Sequence, residues 1–159
     1  MDAFDNLRRR QDEHIDRKGW SVTMVMPTDD DPGTPFAYTV GLTAHGFPEL
    51  VIAGLPPHIA HAVLNDLAGR VYDTAVRFSH GQRIGDLLVG YDAVIVDGPA
   101  TEALYPGAAY ARYGTDRVRL QQVAWPDPQG RFPWQPGYDH DRYPQPLIGQ
   151  PDPSTEDRP

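Results

Sequence analysis

The chain has 159 residues, with 14 Lys+Arg against 22 Asp+Glu and a formal net charge of −8. That length holds one domain of ordinary size, and 40% hydrophobic against 23% charged residues excludes wholesale disorder. No cysteine is present, which removes disulfides, Cys-ligated zinc, iron–sulfur clusters and thiol nucleophiles together.

Asp2 is placed to cap a first helix running to about Arg17, with Phe4, Leu7 and Ile15 on one side. Residues 1–20 carry five basic and five acidic side chains, so the run Arg8-Arg9-Arg10 reads as a solvated helix surface. Trp20, Val22, Met24 and Met26 then alternate with smaller residues at the period of a half-buried strand. Asp29-Asp30-Asp31-Pro32-Gly33 is a turn, and Phe36, Tyr38, Val40 and Leu42 form the return strand of a hairpin. Leu50–Leu55 is a continuous apolar run suited to a strand buried on both faces. Pro56 and Pro57 break it and open a helix with Ile59, Val63, Leu64 and Leu67 on its apolar side, ending at Gly69.

Shorter strands are expected near Ala75–Phe78 and Leu87–Val89, a clearer one at Ala93–Asp97, and a broken helix within Glu102–Tyr113. Val118–Trp125 reads as the last strand, and Asp127-Pro128-Gln129-Gly130 as a turn. From residue 135 onward six prolines and few aliphatic residues predict an extended strap or a disordered tail. The division is then a domain over 1–138 and a Pro-rich tail over 139–159. The order predicts an α+β fold with two or three helices and a mainly antiparallel sheet, open or barrel-like.

No apolar stretch follows the charged N-terminus, and the Leu50–Leu55 run is too short to span a bilayer. A cytoplasmic protein with no membrane partner is expected. The acidic balance and the single lysine, Lys18, argue against nucleic acid as a partner.

Two segments carry a family resemblance. The first is Phe36-Ala37-Tyr38-Thr39-Val40-Gly41-Leu42 with Pro48-Glu49-Leu50; the second is Gln122-Val123-Ala124-Trp125-Pro126-Asp127 with Gly130-Arg131-Phe132-Pro133-Trp134. Together they resemble a bacterial family known as domain of unknown function 4262, over most of residues 19–138. The resemblance implies no activity. Where that family often has Gly-His-Pro-Glu, this chain has Gly46-Phe47-Pro48-Glu49; His45 would point the same way as residue 47 if the stretch were a strand. The order of elements is also similar to that of split-barrel flavin reductases, a likeness of architecture alone.

Candidate ligand-binding residues follow from the two segments. Tyr38 and Thr39 precede a glycine that admits a close ligand; against this, Tyr38 packs equally well in a core. His45 and Glu49 could form an acid/base pair, or satisfy loop backbone. Gln121, Gln122, Trp125, Asp127 and Trp134 set polar donors beside large rings, as ligand pockets do and as Pro-rich corners also do. His58 and His61 share a helix side but lack a third ligand at a set interval, so they read as surface histidines and no metal is expected. If the strands ending at Gly41 and Trp125 are neighbours, these groups surround one concavity. FMN would suit such a pocket, with Arg70, Arg77 and Arg83 as the phosphate candidates. The alternative is a non-catalytic interaction module using its Trp/Pro surface and C-terminal tail to hold a protein partner.

Overall fold

The two period-two stretches form a hairpin. Strand β1 (Ser21–Val25) pairs antiparallel with β2 (Phe36–Val40) in unbroken register, from Ser21 opposite Val40 to Val25 opposite Phe36. A computed structural model describes residues 3–30, 32–88 and 91–151. The expectations placed on Asp2, Asp31, Val89 and residues 152–159 lie outside the described residues. Helix α1 (Ala3–Lys18) precedes the hairpin, and one 3-10 turn (Leu42–His45) leads to β3 (Glu49–Ala53). Next come α2 (Pro57–Thr74), β4 (Arg83–Leu88), β5 (Tyr91–Gly98), α3 (Gly107–Tyr113) and β6 (Leu120–Ala124).

The six strands make one open sheet in the order β1-β2-β3-β6-β5-β4, antiparallel except where β3 runs parallel to β6. The α+β class and the mainly antiparallel sheet are as expected; the barrel alternative is not adopted, because β1 and β4 remain separate edges. The continuous apolar run of β3 is explained by cover on both faces. Leu50 and Ile52 pack beneath α2 with Val63, Leu64, Leu67 and Val71. Val51 and Ala53 point the other way, onto Tyr38, Val40, Leu104, Ala109 and Leu120.

That second face is closed by α3, the loops around Leu104 and Phe132, and Leu147 and Ile148, while Tyr143 of the same C-terminal segment packs on the α2 side. Gln145 mimics a strand partner: its amide oxygen accepts from the Trp125 backbone N–H at 2.9 Å and its amide nitrogen donates to the Trp125 carbonyl at 2.8 Å. Gln122 does the same further on, donating to the Pro146 carbonyl and accepting from the Ile148 N–H. Ile148 thereby lies directly on Gly98, where a Cβ would overlap its carbonyl. His80 holds the far end, its Nε2 lying 3.1 Å from the Gln150 carbonyl.

Several elements differ from the sequence expectation. Helix α2 runs past Gly69 to Thr74, because the apolar stripe continues to Val71 and burying that side chain outweighs the roughly 1 kcal/mol cost of a helical glycine. No strand forms at 75–78: Ala75 turns left-handed at φ 56°, and Phe78 is buried as an isolated anchor. Strand β4 begins at Arg83, where Ile84 drops into the core under α2. Strands β2 and β6 are not neighbours, since β3 lies between them.

Candidate binding groove

Glu49 opens β3 and is fully buried. Its carboxylate accepts five hydrogen bonds. Oε1 takes the Thr39 hydroxyl at 2.9 Å and the Leu42 N–H at 3.2 Å; Oε2 takes the Gly41 and Thr43 N–H groups at 3.3 and 2.8 Å and the Thr43 hydroxyl at 2.5 Å. The turn can aim three successive amides at one point because Gly41 sits at φ 134°, where a Cβ would also strike the Gly19 backbone. Burial pushes the Glu49 carboxyl above its ordinary value, while the Thr43, Thr39 and Leu42 hydrogen bonds pull it down. Thr39 is fully occupied as well, accepting the Leu50 N–H at 2.9 Å. The pair therefore clamps a turn, with no face open to a ligand.

His45 is exposed and separate from Glu49, its ring edge-on to Tyr72 at 4.9 Å. Residues 42–45 form a 3-10 turn, so strand alternation does not relate residues 45 and 47. Phe47 also packs toward α2, with the Arg77 guanidinium stacked on its ring. Tyr38 is a core residue whose hydroxyl accepts the Ala108 N–H at the start of α3; burial raises its pKa, against the pull of that bond.

The other candidates are spread over the sheet. Gln121, at the start of β6, donates to the Phe78 carbonyl and to Asp97. Gln122 is spent on the 146–148 backbone. Trp125, past the opposite end of β6, is buried and donates its indole N–H to the Ala53 carbonyl at 2.7 Å. Asp127 accepts the Gln129 and Arg131 N–H groups and the Arg131 guanidinium. Burial alone would raise its pKa, yet the bonds from Arg131 and Gln129 hold it below the ordinary value. Trp134 is half-buried and stacked on Phe132 at 5.0 Å. His45, Glu49 and Gln121 thus lie toward one end of the β3–β6 pair, and Trp125, Asp127 and Trp134 toward the other. They do not surround a common concavity.

An open site lies elsewhere. A groove of about 450 Å³ runs between α1, β1 and α3, lined by Arg8, Arg10, Gln11, His14, Ser21–Met24, Ala108, Ala111 and Arg112. Arg112 is paired with Asp12, whereas Arg8, Arg10 and His14 are exposed and make no hydrogen bond or ion pair among the described residues. The Ser21 hydroxyl is buried in the groove wall with no hydrogen-bond partner among the described residues.

A family model described as domain of unknown function (DUF4262) matches residues 14–139, a span that contains β1 to β6 and both quoted motifs. The chain belongs to this family. No curated protein and no solved structure matches it. The Glu49 clamp and the Asp127 corner fall within the DUF4262 span, while Arg8, Arg10 and Gln11 of the groove precede it. The groove residues escaped the sequence reading because the arginine run sits among acids of equal number. The available signal was the three-residue spacing of Arg8, Gln11 and His14 and the four-residue step from Arg10 to His14.

Proposed function

We propose that this chain is a non-catalytic binding module that holds an anionic partner in the groove among α1, β1 and α3. The observation that carries this reading is Arg8 and Arg10, unpaired among the described residues, beside the buried Ser21 hydroxyl, likewise without a partner among them, in a chain whose net charge is −8. Unpaired cations along a groove that also has apolar walls suit recognition of an anion with some apolar character. The polar residues of the family motifs support the same reading from the other side, being consumed by hydrogen bonds that hold turns and the 139–151 segment.

The flavin reading is less well supported. Arg70 is paired with Asp66, Arg77 lies over Phe47, and Arg83 lies over Phe132. Phe47 and Phe132 belong to opposite faces of the sheet, so these guanidiniums form no phosphate clamp. Hexaglutamate titrated against isotope-labelled protein tests the proposal. Amide shifts should gather at 8–14, 21–24 and 108–112, and binding should weaken with salt above about 0.1 M and in Arg8→Glu/Arg10→Glu. Shifts at His45 or Trp125, or none at about 1 mM peptide, would refute it.

A further inference from the structure

We infer that the partner of this groove is an extended acidic peptide segment that adds to β1 as a seventh strand, an inference that rests on the binding-module reading above. Among the described residues β1 pairs with β2 alone, so its outer backbone edge has no second strand there. Four consecutive residues of that strand, Ser21 to Met24, line the groove. The strand itself runs alongside the space an occupant would fill.

The two edges of the sheet are built differently. β4 has a register shift between Ile84 and Leu88, a left-handed Asp86 at φ 63°, and charged Arg83 and Asp86. Those are the devices that keep an edge strand from accepting another chain. β1 has none of them. Its sequence Ser-Val-Thr-Met-Val has no charge, proline or glycine, and all five residues keep register with β2. An edge so regular and uncharged is a template for strand addition.

The walls specify the side chains of the added strand. Val22 and Met24 pack toward the α2 face, while Val25 packs with Ile15 of α1 on the other. Ser21 and Thr23 share the face of Val25 by strand alternation, and Arg8, Arg10 and His14 flank that side from α1. A strand laid beside β1 would direct alternate side chains to each face. Those on the α1 side meet cations and those on the α2 side meet Val22 and Met24, so the fitting segment alternates acidic and aliphatic residues. A second copy of this chain fits poorly, since antiparallel β1–β1 pairing would present uncharged Ser-Val-Thr-Met-Val to the arginines and leave them unpaired.

The experiment uses the full chain and two fluorescent hexapeptides of one composition, acetyl-Glu-Val-Glu-Val-Glu-Val-amide and the block isomer acetyl-Glu-Glu-Glu-Val-Val-Val-amide. The alternating peptide should bind about tenfold more tightly, and its affinity should fall several-fold in Arg8→Glu/Arg10→Glu. Methylating the backbone nitrogens at the three Glu or at the three Val positions should abolish binding for one set only, the set whose N–H groups face β1. Equal binding by the block isomer, or equal tolerance of both methylated sets, would overturn strand addition while leaving the anion-binding groove intact. No binding by either peptide together with no hexaglutamate shifts would remove both. A dimer that the peptide dissociates, or single-stranded DNA displacing the peptide at lower concentration than unlabelled peptide, would overturn the acidic-peptide assignment.

Discussion

Replacing Glu49 by Gln tests whether this motif residue holds the turn or serves a ligand. The carboxylate receives five donors on two oxygens, and an amide offers only one oxygen. The less damaging orientation places the new NH2 at the Oε1 position, where Thr39 can rotate to accept but the Leu42 N–H loses its acceptor. One buried orphan donor costs about 1–3 kcal/mol, and the remaining bonds lose their charge assistance. Relief of the buried charge offsets part of this, since burial disfavours the ionised form. A net loss of about 2–3 kcal/mol is expected, a fall in Tm of roughly 4–12 °C for a domain of this size. Thermal and urea melts of both proteins at pH 7 measure it. The sign of the pH dependence follows from the raised carboxyl. Folded protein binds the proton more tightly than unfolded chain, so the wild-type contribution is full below the unfolded value of about 4.3 and is lost as pH rises through the folded value. The gap between wild type and variant should narrow over that rise. An unchanged or higher Tm in Glu49→Gln, with the same pH profile as wild type, would refute the clamp.

Trp125→Ala should cost about 3–5 kcal/mol, because the ring is buried and its N–H bond to Ala53 is lost; urea midpoints check this. Truncation after Tyr138 removes Gln145 and Ile148 from the core and leaves Gln122 without its partners, so the melt should shift down sharply and amides of β5 and β6 should lose exchange protection. Asp127 is held below its ordinary value, so its stabilisation is present above the unfolded value of about 3.9 and is lost as pH falls through the folded value. Asp127→Asn should therefore flatten the acid limb of the stability curve as pH falls below the unfolded value, with acid titration of the melt as the measurement.

The sequence by itself determined the elements whose signal is local. Alternation around Val22 and Tyr38 specified the hairpin, the Leu50–Leu55 run specified a strand covered on both faces, and Pro56-Pro57 placed the start of α2. The two motif segments were enough to identify the family, and few helices among clustered strands were enough for the α+β class. Tertiary structure decided which strands are neighbours, and that answer dispersed the imagined pocket. Strand pairing is chosen by how whole faces bury against one another, so nothing near Gly41 or Trp125 records that β3 separates β2 from β6. The roles of polar residues were decided the same way. A glutamate in a sequence reads alike whether it meets solvent or three backbone amides, and Gln122 resembles a site residue until the 139–151 segment occupies its hydrogen bonds. Tertiary structure also brought the α1 arginines beside β1, an edge strand among the described residues. Periodicity encodes which side of an element is apolar; what faces each polar group is set by contacts far apart along the chain.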